Sequence, residues 1–432
     1  MFKAEWERIM AGLDKSAIKK TVIIFRLRLL ILIKWLIIGT VIGVIVGAVS
    51  TAFSFCLSYV TELRETYPLI VLGLPVGGIA ILGLYKLIIK DTEYSTNEVF
   101  ISIWSKSDVP AKISPLIFLG TVITHLFGGS AGREGAALQL GASLGCLTGR
   151  IFKVKEKDLK IFLTCGMSAA FAALFGTPMA AAVFSIEAST VGSMYIASLL
   201  PCVISAVVAS SFSASMGISP ESFSIPYIPE FGVINGIKII ILAAIVGVLS
   251  IVFCMSIKYT KKYFAKWISN PFLRISVASV IFLIITFLIG NGDYYGAGIH
   301  VIEKAVMEQD ADVYAFILKI ILTSIIMGVG FKGGEIVPAF FVGATFGCVA
   351  GKLLNLSPGL CAAMGMTAMF CGITNCPITS MLISFELFGF ECVPYIIITV
   401  AVSFIASGYS GIYSAQRFTY SKYRPEFKEQ NN

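Results

Sequence analysis

The residues best placed to do chemistry in this 432-residue chain form a run of glycines around one carboxylate. Gly128-Gly129-Ser130-Ala131-Gly132-Arg133-Glu134-Gly135 leads into Ala136-Ala137-Leu138-Gln139-Leu140-Gly141. Glycines permit backbone angles and close approaches that side chains forbid. A helix starting near Glu134 or Gly135 would present free N–H groups and the positive end of its dipole. Such an end binds an anion without placing a full positive charge in lipid. Glu134 adds a second capacity. A carboxylate at an anion site can occupy that site as an anion mimic, and once protonated it can swing out, so one side chain serves as gate and proton carrier. The alternative is a structural Glu134 paired with Arg133 or His125.

Three further stretches have related chemistry. Gly328-Val329-Gly330-Phe331-Lys332-Gly333-Gly334-Glu335-Ile336-Val337-Pro338 repeats the pattern of glycines before an apolar helix, with Pro338 allowed in the first turn. Its Lys332 and Glu335 either pair locally or face the ion. Tyr94-Ser95-Thr96-Asn97-Glu98 carries helix-capping residue types, and ordinary capping accounts for it as well as an anion site does. Ser410-Gly411-Ile412-Tyr413-Ser414 offers a Tyr413 hydroxyl that donates well to an anion, although a lone tyrosine more often belongs to an interfacial aromatic belt.

The elements that must position these residues are apolar. Hydrophobic residues make up 57% of the chain and charged residues only 13%, half the share of a soluble domain, about 25%. Apolar runs lie near 29–60, 68–90, 113–128, 136–152, 161–187, 194–216, 233–259, 271–290, 312–330, 336–354, 359–388 and 393–408. Several fall short of the roughly 20 residues a spanning helix needs, and many contain Gly or Pro. The expected fold is therefore an all-α integral membrane bundle of tilted and broken helices, with irregular backbone lining a cavity. An internal repeat is visible. Gly166-Met167 runs to Pro178 and Glu187, and Gly365-Met366 runs to Pro377 and Glu386; Met-to-Pro is 178 − 167 = 11 and 377 − 366 = 11, and Met-to-Glu is 187 − 167 = 20 and 386 − 366 = 20. Spacing leaves the relative orientation of the repeats open.

Charge sets topology and narrows the function classes. Lys and Arg cluster at 3–34, 150–160, 258–266 and 417–428, and the net charge is +8. The positive-inside rule puts these clusters, and both termini, on the cytoplasmic side of the cell membrane. A nucleic-acid role would need a basic soluble face, and none is available. Phe2, Trp6, Ile9 and Met10 recur at helical spacing, which predicts an amphipathic surface helix before the first apolar run and no cleavable signal peptide. The ten cysteines, mostly inside apolar runs, read as small buried hydrophobes, without disulfides or a metal site. An intramembrane enzyme is the alternative from another class. It would want a nucleophile or a ligand cluster at depth, but the two histidines, His125 and His300, lack a second His at ligand spacing. No enzyme activity, cofactor or metal is expected.

Gly132-Arg133-Glu134-Gly135 with Gln139 and Gly141 resembles the gate motif of the CLC family of chloride and fluoride channels and transporters. Gly330-Phe331-Lys332-Gly333-Gly334-Glu335 with Pro338 and Gly343-Ala344 resembles its second-half partner, and Tyr413-Ser414 falls in the family's order. The resemblance spans roughly 30–416. It implies two inverted repeats, roughly 28–216 and 233–416, in a transmembrane domain over 28–416. A cytoplasmic segment 1–27 would precede this domain and a short cytoplasmic tail 417–432 would follow, with no regulatory domain after 420. It further implies a homodimer with one pathway per subunit, passing chloride or fluoride and possibly exchanging protons. Glu134 would be the gate and proton carrier, and Tyr413 the inner-gate hydroxyl. Gly132, Arg133, Gly135, Val337 and the backbone near Phe341 and Val342 would bind the anion, with Ser95, Thr96 and Asn97 as an early-helix site. The chain departs from chloride-type members in lacking Gly-Ser-Gly-Ile-Pro, and Glu187 is followed by Ala188 where proton-coupled chloride members carry an inner Glu. His125-Leu126-Phe127-Gly128-Gly129-Ser130-Ala131-Gly132 and Gly330-Phe331-Lys332-Gly333-Gly334-Glu335 look more like the fluoride-exporting branch, though Val337 stands where that branch usually has Thr. The ion stays open between chloride and fluoride, and a passive voltage- or pH-gated chloride channel is the alternative within the family.

Overall fold

The structure, a computed structural model, describes residues 15–105, 108–290, 292–424, 426 and 427. Sixteen α-helices occupy the described residues, eight in each half. The first half holds α1 (Lys15–Thr66), α2 (Leu74–Ile88), α3 (Thr96–Trp104), α4 (Ile113–Leu126), α5 (Glu134–Ile151), α6 (Glu156–Phe175), α7 (Pro178–Glu187), a short strand β1 (Thr190–Val191) and α8 (Leu199–Ser215). The second holds α9 (Val233–Trp267), α10 (Pro271–Ile289), α11 (Ile299–Met307), α12 (Ala315–Val329), α13 (Ile336–Leu353), α14 (Pro358–Thr374), α15 (Pro377–Phe388), α16 (Val393–Ala406) and strand β2 (Arg417–Phe418). The lengths repeat in order: α3 and α11 have 9 residues each, α4 and α12 have 14 and 15, and α5 and α13 have 18 each.

Seven helical stretches are long and apolar enough to cross a bilayer among the described residues; of the rest, α5 reaches 18 residues but is too polar, and the others are too short. The cause is local. The run at 161–187 breaks where Gly176 takes a left-handed φ of 70° and Pro178 opens the next helix. The run at 359–388 breaks the same way, with Asn375 at φ 57° and Pro377 following. A left-handed residue ends a helix, and a proline one or two positions on can only begin another.

The two short helices that follow these breaks show how the halves are related. The N–H groups of Ile378 and Thr379, at the start of α15, donate to Glu187 at the end of α7 (3.1 and 2.8 Å). The N–H groups of Met179 and Ala180, at the start of α7, donate to Glu386 near the end of α15 (2.8 and 2.9 Å). Each helix thus caps the other head to tail, which requires them to run antiparallel about a pseudo-twofold axis. The repeats are inverted, the feature that spacing leaves open. These carboxylates complement the positive helix ends and satisfy N–H groups that lipid cannot.

Glycine sets the packing within each half. α5 lies on α6 and α13 lies on α14. A Cβ on Gly141 would collide with the Gly166 carbonyl, and one on Gly166 with that of Gly141; Gly343 and Gly365 repeat the relation in the second half. Without a hydrophobic force between helices in lipid, such backbone-to-backbone contact supplies the packing.

Three expectations need correction or placement. The expected boundary at residue 27 falls inside α1, which runs 52 residues without a break because it contains no proline and its Gly39, Gly43 and Gly47 do not take left-handed angles. The expected surface helix through Phe2, Trp6, Ile9 and Met10 lies outside the described residues. Residues 417–422 are tied to the body, because β2 pairs with β1 in parallel (Thr190 opposite Arg417) and Lys422 Nζ donates to Asn375 Oδ1 at 2.6 Å and to the Phe404 carbonyl at 2.9 Å. The ten cysteines are all unbridged and nine are buried, as expected.

Gly365→Leu should force α13 and α14 apart. Overpacking costs typically about 1–3 kcal/mol, and a backbone collision lies at the upper end. The expected outcome is a lowered thermal midpoint in detergent and a loss of monodisperse protein. Unchanged stability would remove glycine contact as the packing determinant.

Candidate anion site

The two glycine-rich motifs meet. Gly132 and Gly334 form an antiparallel bridge, with Gly132 N donating to Gly334 O at 2.7 Å and Gly334 N to Gly132 O at 2.9 Å. This joins the lead-in of α5 to that of α13, so two helix N-termini face each other from opposite repeats. The glycines are required by distance: a Cβ on Gly334 would lie 2.6 Å from Gly135 N, 2.7 Å from Glu134 N and 2.8 Å from Glu134 Oε2. Into this junction Glu134 projects a fully buried carboxylate. Its Oε2 accepts from the N–H of Val337 at 3.3 Å, in the first turn of α13, and its Oε1 has no protein partner. The glutamate of one repeat therefore occupies the helix start of the other, where an anion would bind.

A cavity lies on either side of this junction. The first, about 760 Å³, is lined by Glu134 and Val337 together with Arg64, His125, Arg133 and Tyr295. The second, about 100 Å³, is lined among others by Ser95, Thr96, Gln139, Lys332, Glu335 and Tyr413. Lys261, from the basic cluster 258–266, also lines the second cavity, which places it at the cluster's side of the protein. Three buried cations stand along this axis without a carboxylate in ion-pair reach among the described residues. Arg64 Nη1 donates to the His125 carbonyl (2.7 Å), Lys319 Nζ to that of Gly296 (2.8 Å), and Lys332 Nζ to that of Tyr94 (2.9 Å). Ionisable groups inside membranes are costly and mark ion pathways.

The residues singled out in the sequence divide into several groups. Gly132, Gly135, Glu134 and Val337 come together at the junction. Arg133 lies beside it, but its guanidinium is bound by Glu221 and donates to the Leu174 carbonyl, so it does not pair with Glu134; only its Nε is left without a protein partner. His125 does not neutralise Glu134 either; its Nε2 lies 3.3 Å from the Gly132 carbonyl. Local pairing of Lys332 with Glu335 is absent because the ammonium is held by the carbonyls of Thr92 (3.3 Å) and Tyr94. Phe341 and Val342 reach neither cavity. They lie beyond the first turn of α13, where helix bonding has already consumed the N–H groups.

On the other side, Ser95 is the N-cap of α3 in a reciprocal capping box with Glu98 (Ser95 N to Glu98 Oε2, 2.9 Å). Thr96 Oγ1 accepts from Gln139 Nε2 at 3.1 Å, and Asn97 Oδ1 accepts from Ala415 N at 3.1 Å, so Asn97 ties α3 to the Tyr413 segment. Tyr413 is not a belt residue. It is 5% exposed, packs edge-on against Phe100 (4.6 Å between centroids), and leaves its hydroxyl without a protein partner. Sequence reasoning misses Glu221, Arg64 and Lys319, and Glu335 lines the second cavity, the other of its two readings. A lysine inside the apolar run 312–330 is a signal for Lys319; Arg64 and Glu221 carry none.

Two inverted eight-helix halves, meeting at a carboxylate seated on a helix start, define a membrane protein of the anion channel and transporter class. The profile of the family described as voltage gated chloride channel matches residues 77–408, and the chain belongs to this CLC family. It is 31% identical over 404 residues to a chloride/fluoride channel protein of Pseudomonas syringae pv. tomato, covering 92% of this chain and 89% of that protein. It is 27% identical over 304 residues to an H(+)/Cl(−) exchange transporter ClcA of Vibrio cholerae serotype O1, covering 64% of this chain and 62% of that one. Among solved structures it is similar to a CLC-type fluoride/proton antiporter, with a TM-score of 0.86, 32% identity, and coverage of 90% of this chain and 98% of the other. It also shares the fold of a slow cyanobacterial Cl−/H+ antiporter at a TM-score of 0.74 and 19% identity, covering 86% and 94%. The family is one of channels and transporters rather than enzymes.

Gly334→Ala should push the two helix starts apart, since the added methyl meets backbone nitrogens that cannot yield. Anion efflux from proteoliposomes should fall sharply, while Gly83→Ala, whose Cβ would meet nothing within 4 Å, leaves it unchanged. Equal activity of the two variants would show that the close apposition is dispensable.

Proposed function

We propose that this protein is a proton-coupled fluoride transporter that also accepts chloride, with Glu134 alternating between the anion site and a protonated, withdrawn position. The observation that carries this reading is the hydrogen bond from Val337 N to Glu134 Oε2. A carboxylate seated on a helix N-terminus holds the place of an anion, and only protonation or a competing anion frees that place. The unpartnered Oε1 and the roomier cavity beside Val337 give the protonated side chain somewhere to turn. Fluoride is supported by the two similarities above 30%, to a chloride/fluoride channel protein and a fluoride/proton antiporter. The Tyr413 hydroxyl, buried and without a protein partner, is assigned as an anion donor on the smaller cavity's side.

The same reading sets the protein in the cell membrane, with the smaller cavity cytoplasmic because Lys261 and its basic neighbours mark that side. A homodimer is proposed as well. Met179 and Ile378, at the starts of the cross-capped α7 and α15, are 46% and 47% exposed, an apolar face that a second copy or lipid would cover.

Fluoride and chloride efflux under equal gradients, recorded with ion-selective electrodes alongside pH, test the ion and the coupling together. Fluoride should leave faster and should drive proton uptake. A chloride preference would overturn the fluoride assignment, and anion flux without proton movement would make the protein a passive channel. Glu134→Gln should cut proton flux by on the order of 10²-fold, the scale of a positioned acid–base group. Separately, amine-reactive cross-linking in detergent should trap a dimer band; a strictly monomeric chain would refute the dimer.

A further inference from the structure

The loop before α3 carries a second carboxylate that sits in a basic mouth. Glu93 Oε2 is 3.2 Å from Lys261 Nζ near the end of α9, and Glu93 Oε1 is 3.5 Å from Arg274 Nη2 on α10. All three line the smaller cavity with Lys332. Lys332 sets the loop: its ammonium takes the carbonyls of Thr92 and Tyr94, the residues on either side of Glu93, and lies 4.2 Å from the Tyr85 ring centroid. The Glu93 side chain is thereby placed over Lys261 and Arg274. Three cations and two carboxylates, Glu93 and Glu335, line this cavity, and Lys261 and Arg274 both reach Glu93.

Arg274 is where an anion has most to offer. Its side chain is only 10% exposed, its Nε is buried without a partner, and its contact with Glu93 is at the outer limit of a hydrogen bond. A guanidinium in that state is underused, because its fork of donors suits a close anion. The Glu93 and Lys261 side chains, by contrast, are 56% and 55% exposed. An exposed pair of this kind shifts an equilibrium by no more than about fivefold, so the carboxylate is held loosely enough to be displaced.

We propose that Glu93 is a displaceable plug over an anion-docking site formed by Arg274 and Lys261 at this mouth, and that an entering halide takes the place of its carboxylate on Arg274. The proposal rests on the reading of the two cavities as one anion pathway. The plug works by charge competition. The Lys261 ammonium, and less so Arg274, hold the Glu93 carboxyl below the usual carboxylate range, so it stays ionised at neutral pH and carries no proton. The Lys332 clamp keeps the plug local: the loop need not move for the side chain to swing aside.

The test is the half-saturating fluoride concentration for efflux from proteoliposomes in Glu93→Gln, Arg274→Gln and Arg274→Lys proteins. Glu93→Gln should lower it about three- to fivefold, the most an exposed pair supplies. Arg274→Gln should raise it about tenfold, with Arg274→Lys between it and the unmodified protein, since a charge-assisted contact is lost in one and weakened in the other. A triad that merely clips α9 and α10 to the loop would lower the thermal midpoint of Glu93→Gln and leave half-saturation where it was; that result overturns the plug. Glu134→Gln run in parallel separates the two readings. If it abolishes proton flux while Glu93→Gln shifts nothing, only the plug fails; if it leaves proton flux intact, the pathway itself has been misassigned.

Discussion

Everything in this protein depends on two helix N-termini being brought within van der Waals distance of each other at the pseudo-twofold axis. Helix starts repel one another electrostatically and expose unsatisfied N–H groups. The Gly132–Gly334 bridge, one residue before each N-cap, ties the two lead-ins together, and the absence of Cβ atoms lets the chains close. The carboxylate of Glu134 then supplies the negative charge the junction needs. In the proposed cycle, withdrawal of that carboxylate leaves the same dipoles for another anion, so one arrangement would supply both the stability of the junction and its affinity.

The reciprocal caps of α7 and α15 answer the same problem a second time. Glu187 and Glu386 each neutralise a helix start in the opposite repeat. They are fully engaged by two amides apiece, and Glu187 also by the Thr379 hydroxyl (2.5 Å), whereas Glu134 is engaged by one amide and leaves an oxygen free. Three intramembrane glutamates with similar surroundings therefore differ in how tightly they are held. The tightly held pair ties the halves together, and the loosely held one is free to move. Arg64, Lys319 and Lys332 add positive potential on either side of the junction. Their ammonium and guanidinium groups are held by backbone carbonyls rather than by carboxylates, so no partner of opposite charge cancels them.

Legibility from sequence varies by residue for physical reasons. Glu134 and the starts of α5 and α13 are legible because a carboxylate is costly inside a membrane, and glycines crowded beside it mark a place where backbone must come close to a charge. Val337 is legible as a first-turn residue. The ion pair of Arg133 is not legible because its partner Glu221 lies 88 positions away, in a loop with no periodic pattern. Lys332 and Glu335 look like a pair because they are three positions apart, but the left-handed Gly330 and the turn after it send the lysine to the loop at 92–94. Tyr413 is ambiguous for a related reason: a tyrosine after a Gly-Ile turn reads as interfacial until its burial against Phe100 is seen.

By itself the sequence determined that the chain is a helical membrane protein, that it is built from two repeats of fixed Met–Pro–Glu spacing, and that glycine-rich helix starts lie near Glu134 and Val337. These are properties of local composition and period, which lipid enforces residue by residue. Only the tertiary structure decided that the repeats are inverted, that the glutamate of one half sits on the helix start of the other, and which cations are spent on carboxylates and which face the cavities. Those are matters of pairing between residues some 90 to 240 positions apart. No local signal encodes such a pairing; it follows from how two halves with matching glycine surfaces close on one another.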